Sequence, residues 1–240
     1  KVIEEDHKDY FYLSLASIGW KSGKDSSRDS IDYVARTNPY NPVVDYLEKV
    51  KEDKTIYPTD IDKISSLYLK TEDQLFDRMM KCFLVGAVSR AMNHGCKFDT
   101  CLTLKGKQGL QKSSFFKTLV PNASWFTDTP IGKDKDNYMA VNSKWIIELS
   151  ELESVTTRRS AGEVKAFLSS AEDTYRKPYG RGLVTSKRPS VCCATVNKDE
   201  FLIDETGSRR FPVIQCGSEK IDISIIEKDR DSIWKAAVLA

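Results

Sequence analysis

Nine consecutive residues carry the strongest chemical signal in the chain: Gly106-Lys107-Gln108-Gly109-Leu110-Gln111-Lys112-Ser113-Ser114. The apolar run Cys101-Leu102-Thr103-Leu104 precedes them and a helical pattern, Ser113 to Leu119, follows. A strand that enters a glycine-containing turn and leaves as a helix points several backbone N–H groups at one spot. The helix N-terminus adds partial positive charge there. Such a loop suits the phosphates of ATP. Lys112 is placed to reach the β- and γ-phosphates, and the Ser113 hydroxyl to ligate Mg²⁺. The match to GxxxxGK[ST] is incomplete, because Gln111 stands where the motif has glycine and Gly109 lies earlier. Taken alone, the stretch also fits an ordinary strand-to-helix turn.

Phosphoryl chemistry needs carboxylates beside the phosphates, to hold Mg²⁺ and to activate water. Trp145-Ile146-Ile147-Glu148-Leu149-Ser150-Glu151 is an apolar strand that ends in such groups. Glu148 is the first choice. Glu151, three residues on, equally fits the solvated start of a helix. A third apolar run, Val191 to Thr195, ends at Val196-Asn197, where an amide can sense the γ-phosphate or simply close a turn. Arg209 and Arg210 precede a fourth strand, Phe211 to Ile214. They could serve a neighbouring subunit as an arginine finger, or pair with Asp204 and Glu205. Between Glu151 and Asn197 lies a basic stretch interleaved with Tyr, Pro and Gly. Its Arg176, Lys177, Tyr179 and Arg181 suit a nucleic-acid backbone, although a charge run is more often only solvated.

The elements that must position these groups follow from periodicity. Apolar runs alternating with helices predict an α/β fold with a largely parallel sheet flanked by helices. Ser160 to Ser169 and Ile223 to Leu239 read as helices. Leu75, Phe76, Met79, Met80, Phe83, Leu84, Ala87, Val88 and Ala91 form the core stripe of a long helix, with Thr71 and Gln74 as a capping box and Gly95 as its stop. Asn41-Pro42 opens another helix, whereas Lys21 to Ser30 reads as an exposed loop. Residues 1–70 thus form a helical N-terminal region, and 71–240 a P-loop ATPase domain.

Composition narrows the class. The 240 residues are 40% hydrophobic and 30% charged, with 37 basic against 35 acidic side chains, so any nucleic-acid surface must be local. No apolar run approaches the roughly 18 residues of a membrane span. The six cysteines read as small buried hydrophobes of a reducing, cytoplasmic compartment. His94, Cys96 and Cys101 lack a fourth ligand at zinc spacing. Lys1 at the start and the apolar run Ala236 to Ala240 at the end suggest a segment of a longer protein, truncated at its C-terminus.

Taken in order, these residues resemble the virulence-associated protein E family, P-loop ATPases of phages, plasmids and genomic islands related to superfamily 3 helicases and primase-helicases. The resemblance covers about residues 38–240. It rests on Asn38 to Leu47 (NPYNPVVDYL), on Gly106 to Ser114 with Phe115-Phe116, and on Trp145 to Leu152 (WIIELSEL). It continues through Lys165 to Leu168 with Asp173 to Arg181, and through Thr195-Val196-Asn197 with Phe201-Leu202 and Thr206 to Phe211. It implies a AAA+-like P-loop NTPase core, ATP and Mg²⁺ as cofactors, and a homo-oligomeric, hexameric ring. It also implies movement on single-stranded DNA during replication of a mobile element, with any primase part outside this segment. By the same resemblance Glu148 is the first carboxylate, Asn197 the sensor and Arg209 or Arg210 the finger. Gln111 departs from the family's glycine, which keeps open a non-hydrolysing nucleotide switch or DNA-binding initiator; a third reading is a P-loop kinase of a small molecule, against which the paired arginines count.

Overall fold

The computed structural model describes residues 5–38, 40–130, 142–150, 158–176, 183–197 and 209–240. The chain divides into two compact units, Lys1–Pro42 and Val43–Ala240.

The first unit is a helix pair, α1 (Glu5–Ser17) and α2 (Lys24–Thr37). The stretch expected as a loop from Lys21 to Ser30 is therefore mostly helix. Its Ser and Asp content favours turns, but its cations find partners across the pair. Lys24 and Arg28 face Asp9 of α1, and Lys8 of α1 lies 2.9 Å from Asp32. Tertiary pairing outweighs the local preference.

The second unit opens with α3 (Pro42–Glu52), where Pro42 occupies the first helical position, as proline's fixed φ allows. Next come a 3₁₀ turn (Ile61–Lys63), α4 (Ile64–Tyr68) and α5 (Gln74–Met92). The α5 cap is Asp73, whose carboxylate accepts from the Leu75 N–H at 2.8 Å. The expected Thr71–Gln74 box does not form. Thr71 is buried and bonded to the Ser65 hydroxyl, while Asp73 stands where a short carboxylate reaches the free N–H groups of the first turn. Of the expected α5 stripe, only Leu75 is largely exposed.

The sheet strands are β1 (Cys101–Lys105), β2 (Phe126–Pro130) and β3 (Ile146–Ser150). After α7 come β4 (Glu172–Arg176) and β5 (Leu183–Lys187), then β6 (Val191–Val196) and β7 (Val213–Gln215). The helices among them are α6 (Lys112–Leu119), α7 (Arg158–Ser169) and α8 (Ile223–Leu239). Five strands form one parallel sheet in the order β2-β3-β6-β1-β7, and β4 with β5 forms a separate antiparallel hairpin. β2 escapes sequence reading because Phe-Thr-Asp-Thr-Pro is an edge strand without an apolar run.

Both sheet faces are covered, so its central strands are largely apolar. Leu102, Leu104, Ile146, Val191, Cys193 and Ile214 face one core, under α5, α6 and α8. Cys101, Ile147, Leu149, Cys192, Ala194 and Val196 face the other, against Val164 and Leu168 of α7 and against Phe211. Two tryptophans tie the first core together. Trp145 donates to the Ala87 carbonyl of α5, Trp234 to the Leu119 carbonyl of α6, and their rings lie 4.2 Å apart. Four of the six cysteines are buried as expected. Cys82 is exposed and Cys96 half-buried, because they fall on the outer side of α5 and in the turn beyond it. Burial pushes the Cys192 and Cys216 thiols up to about 11.

The hairpin is fastened by one buried ion pair. Arg188, just before β6, donates from Nε to Asp173 Oδ2 of β4 at 2.6 Å and lies over the Phe167 ring at 4.2 Å. Both side chains are almost wholly buried. Removing one charge strands the other, a loss of about 3 kcal/mol or more for pairs of this kind. Asp173→Asn is expected to lower unfolding stability by about 3 kcal/mol in urea titrations and to speed amide exchange in β4 and β5.

Candidate nucleotide site

Strand order decides which residues meet. β6 lies between β1 and β3, so the C-terminal ends of these three neighbours deliver the Gly106–Ser114 loop, Asn197 and Glu148 to one edge of the sheet. In open α/β sheets that edge, where successive connections run to opposite sides of a strand, is where ligands bind.

The loop is held at both ends. The Gly106 N–H donates to the Val196 carbonyl of β6, and the Leu110 carbonyl accepts from Ile221 N–H ahead of α8. Leu110 turns its side chain inward and leaves Lys107, Gln108 and Gly109 exposed. At Gly106 a Cβ would lie 2.8 Å from Leu110 Cδ1, so a side chain there would make the end of Leu110 shift. Gly109 is glycine for conformation, at φ +86° in open surroundings.

Gln111 also has a left-handed backbone, φ 69° and ψ 28°, as the N-cap of α6. This is where the motif calls for glycine, and the backbone shows why. A side chain in that region costs about 1 kcal/mol. Gln111 recovers part of it by accepting the Ser114 hydroxyl at 2.5 Å. Gln111→Gly should change unfolding stability by less than about 1 kcal/mol, because the left-handed relief is offset by the lost hydrogen bond and the freer unfolded chain. A urea titration reads it directly.

Lys112 is buried, 6% exposed, with its ammonium turned into the loop. It donates to the Gly106 carbonyl at 2.7 Å, the Lys107 carbonyl at 2.9 Å and Asn197 Oδ1 at 2.9 Å. On the next position of α6, Ser113 donates to Glu148 Oε1 at 2.7 Å. Thr195 of β6 donates to the same oxygen at 2.8 Å, and the two hydroxyls are 3.2 Å apart. Glu148 is 4% exposed. Its negative charge adds to the burial that pushes the Cys101 and Cys193 thiols well above their usual range.

The structure thus gathers Lys112, Ser113, Ser114, Glu148 and Asn197. Thr195 was not singled out in the sequence. Its signal was strand parity, because a residue two beyond Cys193 shares the face of Glu148, whose register partner is Cys193. Arg209 and Arg210 are not brought to this edge. They precede β7, whose Val213 pairs with Thr103, so they lie at the opposite end of the sheet, roughly 20 Å away at strand rise. Arg209 is exposed, while Arg210 is half-buried with Nε 3.6 Å from Asp99 Oδ2. Arg176 is exposed at the end of β4. Glu151, Lys177, Tyr179 and Arg181 lie outside the described residues. Among the described residues no three His, Cys, Asp or Glu side chains form a metal cluster, and no helix is long and apolar enough to cross a membrane.

A parallel five-stranded α/β sheet with a lysine-bearing loop and a carboxylate at adjacent strand ends defines the class of domain. The family follows from the sequence match: the chain belongs to the virulence-associated protein E-like domain family, whose model matches residues 47–240. No curated protein sequence matches it. Among solved structures it is similar to the C-terminal region of NrS-1 (305–718) in an A-form apo structure. The TM-score is 0.53 at 16% identity, over 78% of this chain and 46% of that one. Two further apo structures of the NrS-1 C-terminal region give the same TM-score at 15% identity, with 47% and 48% of those chains covered. This likeness is one of fold, and the chain spans about half the length of the structures it matches.

Proposed function

We propose that this domain is the ATP-driven motor of a replicative DNA helicase or primase-helicase from a phage or mobile genetic element, built on a AAA+-like P-loop NTPase core. One observation carries the reading: a single buried carboxylate, Glu148, accepts from Ser113 beside the lysine and from Thr195 beside the sensor amide. That arrangement ties the phosphate loop, the acidic strand end and the amide strand end into one unit.

Ser113, Thr195 and Glu148 present hard oxygen donors at hydrogen-bond distance from one another, a set that fits Mg²⁺. Ser113 and Glu148 would hold the ion, and Mg²⁺ bound with ATP supplies charge neutralisation on the β- and γ-phosphates. The Lys112 bonds to the Gly106 and Lys107 carbonyls and to the Asn197 amide go to neutral acceptors. Exchanging a loop carbonyl for a phosphate oxygen sets the ammonium against a full negative charge and adds Coulombic attraction to a hydrogen bond whose donor is already charged. Asn197 loses or keeps its bond to Lys112 with that exchange, which makes it a sensor of the γ-phosphate. Glu148 then orients the attacking water and takes its proton, and Glu151 is kept as its second.

Arg209 and Arg210 cannot reach the loop of their own chain, so either one acts on a neighbour's nucleotide. Arg209 suits that role better, because it is exposed while Arg210 is engaged with Asp99. This requires a homo-oligomer, read here as a hexameric ring working in the cytoplasm, with a primase part elsewhere in the protein or in a partner. The β4–β5 hairpin, with Arg176 exposed beside half-buried Tyr175 and with Lys177, Tyr179 and Arg181 between its strands, is the segment assigned to single-stranded DNA. The test is phosphate release from ATP with and without single-stranded DNA, alongside oligomer mass. DNA-stimulated turnover by a ring is expected. ATP binding without turnover would favour the second reading, a nucleotide switch or replication initiator, for which the strained Gln111 is the observation.

A further inference from the structure

A second pocket of about 390 Å³ lies at the other end of the sheet, away from the nucleotide loop. Arg90 near the end of α5, the turn at Gly95, the Lys97–Asp99 approach to β1, Ser169 and Ala171 after α7, and Arg210 line it. Its charges do not balance, with three cations, Arg90, Lys97 and Arg210, against one carboxylate, Asp99.

Arg90 is the unusual member. It is 2% exposed, and among the described residues its guanidinium donates to two neutral carbonyls, those of Phe98 at 2.9 Å and Arg188 at 3.4 Å. Its Nε has no hydrogen-bond partner among the described residues, and neither has Arg210 Nε. Nearby Arg188 cannot supply a counter-charge, being itself a cation neutralised by Asp173. Burial lowers the Arg90 pKa from its usual value, the mark of a cation short of compensation. A buried charge without a paired anion is costly, and such groups are normally paired.

We propose that this pocket binds a phosphate-type oxyanion. Arg90 supplies fixed positive charge from the back of the cavity. Exposed Lys97 and half-buried Arg210 reach the anion from the rim, and the Ser169 hydroxyl adds a neutral donor. A tetrahedral dianion has enough acceptor oxygens for all of these groups, which a carboxylate lacks. The same chemistry is offered by free phosphate and by the terminal phosphate of a nucleic acid. The inference does not depend on the motor reading, since none of its residues belongs to the nucleotide loop.

Calorimetric titration with inorganic phosphate at constant ionic strength tests it, in the 240-residue chain carrying Lys112→Ala so that the loop does not contribute. One saturable site per chain is expected. Lys97→Met with Arg210→Met should weaken it about tenfold or more by removing two charge-assisted bonds, while Lys228→Met, at an exposed position of α8, leaves it intact. These substitutions lie at the surface, and urea titration verifies that the variants remain folded. Absence of saturable binding, or equal affinity in the Lys97/Arg210 variant, overturns the proposal. Competition assigns the source. Displacement of phosphate by a 5′-phosphorylated thymidine oligonucleotide, but not by its unphosphorylated form, points to a nucleic-acid end. Failure of both to displace it points to a free phosphate, and either result upholds the oxyanion site. Loss of ATP turnover in the unsubstituted chain would sink the motor reading and leave this one standing.

Discussion

Replacing Lys112 with alanine is expected to reduce ATP turnover about a hundredfold to a thousandfold, the usual loss when one fixed donor to a developing phosphate charge is removed. The geometry makes this more than a motif argument. The ammonium is held inside the loop by two carbonyls and by Asn197, so it is already where the phosphates would lie. Alanine removes the charge and leaves the Gly106 and Lys107 carbonyls without that donor, a further loss of about 1 kcal/mol of stability. Lys112→Met removes the same charge and donor but retains the aliphatic stem that fills the buried site, so it spares the packing. Both variants should lose phosphate release and bind ATP more weakly, while the methionine variant unfolds nearer the parent's midpoint. Turnover at the parent's rate in Lys112→Met would remove the nucleotide assignment altogether.

The residues around Lys112 show what a sequence carries and what it does not. Gly106, Lys112, Ser113 and Glu148 were legible because each sits at a strand end or a helix start, and local patterning marks those places. The five-stranded sheet was legible in four of its strands because each carries an apolar run, which the three inner strands need for burial on both faces. β2 was not, because an edge strand needs no apolar run. The first half of α2 was read as a loop because its Ser and Asp favour turns locally, whereas the pairing of its cations with α1 is visible only in the folded pair. Thr195 was hidden by register. Its role depends on β6 lying between β1 and β3, and no local pattern encodes strand order. Gln111 is the opposite case. The sequence showed the departure from glycine, and the backbone supplied its meaning, a left-handed residue carrying a side chain.

The second large effect is expected at Glu148, and it tests the chemistry apart from the binding. Glu148→Gln keeps volume and leaves an acceptor oxygen for Ser113 and Thr195, so the local packing and both hydroxyl bonds can persist. What it removes is the negative charge and the capacity to take a proton. If Glu148 activates water, turnover should fall about a hundredfold or more, while affinity for ATP measured without Mg²⁺ changes by only a few-fold, since Lys112 and the loop N–H groups are untouched. Thr195→Val is the companion. It preserves shape and deletes one hydroxyl donor to the same oxygen, which leaves Glu148 charged but less firmly aimed, and a loss of about tenfold is expected. The order of these effects matters. A charge acting on the reacting water must outweigh the hydroxyl that positions it. Rapid-quench measurement of the chemical step, with binding followed separately by a fluorescent ATP analogue, gives both quantities. Equal losses in the two variants, or a Glu148→Gln chain that hydrolyses normally, would make the Ser113–Glu148–Thr195 cluster a structural clasp between α6, β3 and β6 and would move the search for the catalytic base to Glu151.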